Sequence, residues 1–225
     1  MKENRLSRIT ELLDNRQPDL TVFMDNVHKP HNLAAIVRTC DAVGIGEVHA
    51  VHPQGSIHQC GGTAMGSHRW VTTRRYTQLS EGLSVIKQQG MQILAAHLSD
   101  KVVDFRDIDY TQPTCILVGA EKYGVSDEAA EQADQHILIP MLGMVQSLNV
   151  SVASALILYE AQRQRALAGM YGQRRISNEQ YEKLKFEWLH PQVHEFCIKY
   201  GLRYPYVNDQ GDIEDEEWQQ LRRRC

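Results

Sequence analysis

Four short segments hold the residues best suited to chemistry. The first is His28-Lys29-Pro30-His31-Asn32, which leads into NLAAIVRTCDAVG (32–44). Asn32 stands where a helix would begin, and its simplest role there is an N-cap. Arg38 lies six residues on, among Ala34, Ala35, Ile36, Val37 and Ala42. It reads either as a surface cation or as a guanidinium placed for an anion, since its planar fork matches phosphate. The second segment is Gly119-Ala120-Glu121, after an apolar run. Glycine there permits close approach of the backbone to a ligand. Glu121 is open to three roles: base, hydrogen-bond acceptor or solvated turn residue. The third segment is Pro140-Met141-Leu142-Gly143-Met144-Val145-Gln146-Ser147-Leu148-Asn149. Its methionines and leucines either fill a core gap or form a bed for an adenine ring and its ribose. Ser147 and Asn149 open the following helix and are candidate caps. The fourth segment is HLSD (97–100).

These segments need elements to hold them. Residues 3–16 carry Leu6, Ile9, Leu12 and Leu13 at helical spacing, stopped by Pro18. LTVFMD (20–25), EVHAVHP (47–53), WVTTRRY (70–76), QILAAHL (92–98), TCILVGA (114–120) and HILIP (136–140) read as strands. Helices are expected over 32–44 with Gly44 as the stop, 78–90, about 126–134 and 147–169. Strands alternating with helices imply an α/β fold, a mainly parallel sheet covered on both faces. All four chemical segments then follow strands at their C-terminal ends, the edge where open α/β sheets bind ligands. Residues 54–69, rich in glycine and polar side chains, read as a loop or broken helix. The expected organisation is an N-terminal helical extension (1–19), a central domain (20–169) and a C-terminal extension (170–225).

Composition narrows the classes. The chain has 225 residues, 42% hydrophobic and 23% charged, ordinary for a soluble globular protein. No apolar run approaches the roughly 20 residues needed to span a bilayer, and MKENRLSRIT lacks the apolar core of an export signal. Five scattered cysteines (Cys40, Cys60, Cys115, Cys197, Cys225) without CxxC spacing fit a reduced, cytoplasmic chain. His28, His31, His49 and His52 invite a metal reading. However, no Cys or acid cluster completes a four-ligand set, so no metal is expected. A dehydrogenase would need GxGxxG after the first strand, where DNVHKPHN has no glycine; no GxxxxGK[ST] occurs either.

Net charge is −4, yet residues 163–203 gather Arg163, Arg165, Arg174, Arg175, Lys183, Lys185, Lys199 and Arg203. The acidic block Asp209 to Glu217 masks them in the sum, and a local basic face can still bind phosphates.

Taken together, NLAAIVRTCDAVG (32–44), CILVGAEKYGVS (115–126) and ILIPMLGMVQSLNVSVASALILYEAQRQR (137–165) resemble the SpoU, or TrmH-type, branch of the SPOUT methyltransferases, in the family's order and spacing. The likeness extends to the N-terminal helix and PYVNDQGDIE, and in that breadth is similar to the bacterial tRNA guanosine-18 2′-O-methyltransferases. The resemblance implies a C-terminal trefoil knot, a homodimer with the site completed across the interface, and S-adenosylmethionine as methyl donor. It assigns Asn32 and Arg38 to the first motif, Glu121 to the second, and Ser147 and Asn149 to the third as catalytic residues. Cofactor contacts would fall at Ala96, Leu98, Gly119, Ile139, Met144 and Leu148, many through backbone. Ala96 is a departure, since some relatives place Thr there; a backbone contact survives this, a hydroxyl contact does not. HRW (68–70) falls in a loop where relatives vary. The expected reaction moves a methyl group to a ribose 2′-hydroxyl of guanosine in tRNA, guanosine 18 of the D-loop. The alternatives are a ribosomal-RNA enzyme of the same family and a silent RNA-binding module. tRNA contacts are expected from Arg8, Arg16, Arg174, Arg175, Lys183, Lys185 and Arg203, with Trp188, Tyr200 and Tyr204 as stacking platforms.

Overall fold

The computed structural model describes residues 2–51 and 69–223, with side chains from residue 5 onward. Residues 52–68, which include His52, Cys60 and most of the Gly-rich loop, lie outside the described residues, as does Cys225. The elements run α1 (Lys2–Asp14), β1 (Leu20–Asp25), α2 (Pro30–Ala42), β2 (Glu47–Val51), β3 (Thr72–Tyr76), α3 (Leu79–Gln88), β4 (Gln92–Ala96) and β5 (Val102–Asp104). After a single 3-10 turn come β6 (Thr114–Gly119), α4 (Asp127–Glu131), β7 (Gln135–Leu138), α5 (Val150–Leu167), α6 (Asn178–Leu189), α7 (Pro191–Tyr200) and α8 (Glu216–Arg222). The chain divides into two compact units. One spans Gln17–Met170; the other joins Met1–Arg16 to Tyr171–Cys225. The two terminal segments, expected as separate extensions, therefore share one unit.

In the larger unit seven strands form one sheet in the order β3-β2-β1-β6-β4-β7-β5, and every pairing is parallel. Strands β1 and β6 are buried at every position, as expected of central parallel strands covered on both faces. One core joins α2 and α5 to Val22, Met24, Val48, Ile116 and Val118. The other joins α3 and α4 to Phe23, Ile93, Cys115 and Leu117. The alternation of side chains along each strand sorts them to the two faces. The three-residue strand β5 escapes sequence reading because Val102-Val103-Asp104 is too short to show a period. β7 lies between β4 and β5 although β6 precedes it in the chain.

Helix α2 ends in a Schellman motif: Ile45 N donates to Cys40 O and Gly44 N to Asp41 O, with Gly44 at φ +86. Its start differs from expectation. Pro30 opens the helix with Lys29 as N-cap, so Asn32 is the third helical residue and its side chain is released from capping. Helix α5 begins at Val150, capped by Asn149, whose Oδ1 accepts from Ser151 N at 2.8 Å. Ser147 caps nothing: it lies outside the helix and is exposed.

Arg165, counted by sequence in a basic face, is wholly buried. Its guanidinium donates to Asp19 Oδ1 at 2.6 Å, Gln17 Oε1 at 3.1 Å, and the carbonyls of Tyr110, Asp19 and Gln112. Gln164 beside it donates to Ile108 O and accepts from Tyr110 N. Helix α5 is thereby tied to the chain leading from β5 to β6. A buried guanidinium persists only when its donors are met in this way.

In the smaller unit Arg16 is 2% exposed and lies 5.3 Å from the ring centre of Trp188, itself buried. Arg174 stacks on Tyr181 at 3.4 Å. His190 and Pro191 separate α6 from α7, proline at N1 suiting a helix start.

Candidate functional site

The HKPHN, HLSD, GAEKYG and PMLGMVQSLN segments follow β1, β4, β6 and β7, and so stand at one edge of the sheet. At that edge Glu121, Asn32 and Asn149 form a relay. Asn32 Nδ2 donates to Glu121 Oε1 at 2.5 Å, and Asn149 Nδ2 donates to Asn32 Oδ1 at 3.2 Å. The polarity is forced from one end, because an ionised carboxylate only accepts. Asn32 must turn its amide NH₂ toward Glu121, which leaves its oxygen for Asn149. Asn149 then has its own oxygen left for the first turn of α5, reaching Ser151 N and, at 2.6 Å, Ser151 Oγ. One chain of hydrogen bonds thus fixes the starts of α2 and α5 against the loop after β6.

Burial raises the Glu121 pKa, but the Asn32 hydrogen bond, its own backbone N–H and the nearby His28 and Lys29 outweigh this and hold it below the ordinary value. Glu121 is therefore a standing carboxylate, an acceptor and not a proton donor. Its second oxygen, Oε2, is buried without a hydrogen-bond partner among the described residues, and His28 Nδ1 lies 3.6 Å away. An unsatisfied buried acceptor at a sheet edge is a place for a ligand donor.

The fold itself requires glycine at position 119. A Cβ there would fall 2.0 Å from the carbonyl of Gly124 and 2.1 Å from Val125 N. What approaches closely is the loop's own return, closed by Gly124 N donating to Ala120 O at 2.8 Å. The tight loop presents Glu121 at its tip.

Arg38 is exposed on α2. Six residues of ideal helix place it roughly 120° around and 9 Å along from Asn32, so the two face different directions. Of the residues proposed for the cofactor, Ala96 and Ile139 pack partly against the core, while Leu148 is half-buried. Leu98 is 77% exposed, and Leu142 and Met144 are fully exposed. Large apolar side chains left in water on neighbouring loops mark a surface that something covers.

The basic residues are less uniform than their sequence suggests. Arg8 is exposed and pairs with Glu11 at 2.8 Å. Arg203 is neutralised by Asp215 at 2.6 Å and Glu217 at 3.0 Å. Lys185 is largely covered beside Glu182. Arg16 is packed under Trp188 and is withdrawn from solvent, which also removes Trp188 as a stacking platform. Tyr204 is spent on Glu187 and His194. Lys183 is exposed, Arg175 half-buried, and Tyr200 41% exposed. Among the histidines weighed as ligands, His49 is buried, its ring near-parallel to those of Phe23 and Tyr76 in a cluster of three, with Nδ1 2.9 Å from the Tyr76 hydroxyl. Among the described residues no three His, Cys, Asp or Glu side chains gather as a metal set.

Sequence patterns of known families match most of the chain: the SpoU rRNA Methylase family over residues 19–159 and the SpoU rRNA methylase C-terminal family over 163–216. The tRNA (guanosine(18)-2'-O)-methyltransferase of Escherichia coli K12 is 54% identical over 97% of this chain and 96% of its own. The crystal structure of the Aquifex aeolicus TrmH/SpoU tRNA modifying enzyme superposes with a TM-score of 0.79 at 48% identity, covering 85% of this chain and 98% of that one. The SpoU methyltransferase AviRb from Streptomyces viridochromogenes, in complex with the cofactor AdoMet, matches at TM-score 0.62 and 26% identity, over 68% and 64% of the two chains.

Proposed function

The chain belongs to the SpoU methylase family, and on that premise we propose that it transfers a methyl group from S-adenosylmethionine to the ribose 2′-hydroxyl of guanosine 18 in tRNA. The observation that carries this is the likeness to the E. coli guanosine-18 enzyme, which runs through both units and not only the methyltransferase motifs. S-adenosylmethionine, when bound, supplies an electrophilic methyl on a sulfonium. The residues fit such a group: the loops after β4, β6 and β7 offer Leu98, Leu142 and Met144 as an apolar bed, with backbone at Ala96, Gly119, Ile139 and Leu148 around it. The likeness to a structure with AdoMet bound supports the same choice.

The protein must align the hydroxyl oxygen and stabilise it as its proton leaves. Arginine is not the base, since a guanidinium keeps its proton in proteins. Arg38 holds the RNA phosphate beside the reacting sugar and stabilises the developing alkoxide electrostatically. The proton leaves through phosphate or water. Glu121, kept ionised, offers Oε2 as an acceptor, and Asn32 and Asn149 hold it in place. Ser147, exposed in the loop before α5, is a further candidate for contact with RNA or donor.

Two further features belong to this reading. The insertion of β7 between β4 and β5, with α5 tied to residues 108–112, supports a trefoil knot at the C-terminal half of the sheet. The exposed stripe Val152, Leu156 and Tyr159 on α5 supports a homodimer, with Arg38 contributed across its interface. Phosphate contacts fall to Arg8, Arg174, Arg175 and Lys183. A tRNA substrate fits a cytoplasmic enzyme, and no helix among the described residues is long and apolar enough to cross a membrane. Tritiated methyl transfer to tRNA from cells lacking the enzyme, with the labelled nucleotide mapped, tests the proposal. Label on the ribose of guanosine 18 is expected; label on a base, or none, rejects it.

A further inference from the structure

The relay stands on the α2 and α5 side of the sheet edge. On the α3 and α4 side of the same edge lies a cleft of about 410 Å³, lined by Asp25, Val51, Thr77, Ser80, Ser126 and Glu128 among others. Its floor is preformed. Asp25, 1% exposed, accepts from Ser126 N at 2.8 Å and from Asn26 Nδ2 at 2.7 Å. Val51 and the neighbouring Leu79 are buried and apolar, while Thr77, Ser80 and Glu128 stand exposed at the rim. The site thus combines apolar walls, hydroxyl donors and a rim carboxylate. That is the composition of a pocket for a flat polar ring.

We infer that this cleft takes the guanine ring of the nucleotide whose sugar is methylated, with Glu128 accepting from its N1–H and N2–H groups. The choice among bases follows from their edges. Only guanine presents two adjacent donors to a carboxylate. Adenine and cytosine pair one donor with a ring nitrogen lone pair, and uracil flanks its single donor with two carbonyl oxygens, so each sets an acceptor against an acceptor. The Thr77 and Ser80 hydroxyls supply donors for the guanine O6. The placement fits the reaction. Asp25 is the register partner of Gly119, two residues before Glu121, and paired strands lie about 4.8 Å apart. Cleft and relay therefore flank the same two strand ends, one on each face, and a nucleotide lying over that edge puts its sugar on one side and its base on the other.

The inference rests on the proposed reaction but is tested apart from it. Full-length protein is titrated with guanosine 5′-monophosphate and adenosine 5′-monophosphate, following the backbone amide shifts of residues 77–80 and 126–128. The guanine nucleotide is expected to bind at these residues about 10-fold or more tightly, and Glu128→Gln to abolish the preference. Methyl transfer is then measured on tRNA transcripts carrying guanosine or inosine at the target. Wild type should favour guanosine, whose N2 amino group inosine lacks. Glu128→Gln should lose about 10- to 100-fold in kcat/KM on guanosine and close the gap to inosine. Ser80→Trp, which fills the cleft from its rim, should lose turnover while keeping its melting temperature and S-adenosylmethionine affinity. Equal binding of both nucleotides by wild type, an unchanged guanosine preference in Glu128→Gln, or full turnover in Ser80→Trp overturns the inference. Absence of any methyl on the target ribose with wild type overturns the reaction instead, and the nucleotide titration still judges the cleft.

Discussion

The relay gives each of its residues a separable task. Asn32 supplies the only side-chain hydrogen bond seen on the Glu121 carboxylate among the described residues, so Asn32→Ala takes that donor from a nearly buried carboxylate. The expected cost is about 1–3 kcal/mol of stability. Because that hydrogen bond helps hold the Glu121 pKa down, its loss raises the pKa. A carboxylate with a depressed pKa contributes stability above its unfolded value, and this is lost as pH falls through its folded value. Wild type should therefore lose stability on acidification into the carboxylate range, and Asn32→Ala should lose less. Melting curves between neutral and acid pH decide; parallel curves would detach Asn32 from Glu121 ionisation. Arg38 acts through shape as well as charge. Arg38→Lys keeps the cation and gives up the planar fork, so turnover should fall about 100-fold or more while tRNA binding is mostly kept. Near-normal single-turnover rates would remove the fork from the mechanism.

At the scale of elements, one tight loop and one anchored helix hold the site together. The loop after β6 returns across Gly119 with no room for a side chain. Gly119→Ala should push Gly124 and Val125 away, cost about 1–3 kcal/mol or more, and displace Glu121 from Asn32. The readout is turnover lost beyond what the change in melting temperature accounts for; a variant as active and stable as wild type would mean the loop has another conformation available. Helix α5 is fastened at both ends, by Asn149 at its start and by Arg165 near its finish. Removing the Arg165 side chain breaks its ion pair with Asp19 and takes a charged donor away from the carbonyls of Tyr110 and Gln112. Urea unfolding of Arg165→Ala should show a loss of about 3–5 kcal/mol, the cost of breaking a buried charge network from one side. A loss below about 1 kcal/mol would show that water can replace the guanidinium.

For the whole molecule, the exposed stripe on α5 bears on assembly. Val152, Leu156 and Tyr159 are 47%, 43% and 54% exposed, and they recur at helical spacing. Leu156→Glu puts a charge on that stripe, and sedimentation should then report a monomer with little turnover, against a dimer for wild type; a dimeric variant would move the interface elsewhere. Much of this molecule is legible in its residues. Apolar runs of strand length, helical periodicity, Gly44 and the four polar loops after strands are local patterns, and local patterns determine the α/β elements and the edge where those loops gather. The family motifs likewise pick out Asn32, Arg38, Glu121 and Asn149. The tertiary structure alone decided which of these meet. The relay joins residues 89 and 117 positions apart, which becomes a contact only through the register of β1 on β6 and the packing of α5 on α2. The same holds for burial. Arg16 and Arg165 look like solvent cations in a string of letters, since charge is a property of the residue, whereas the carbonyls and rings that enclose a guanidinium come from distant parts of the chain.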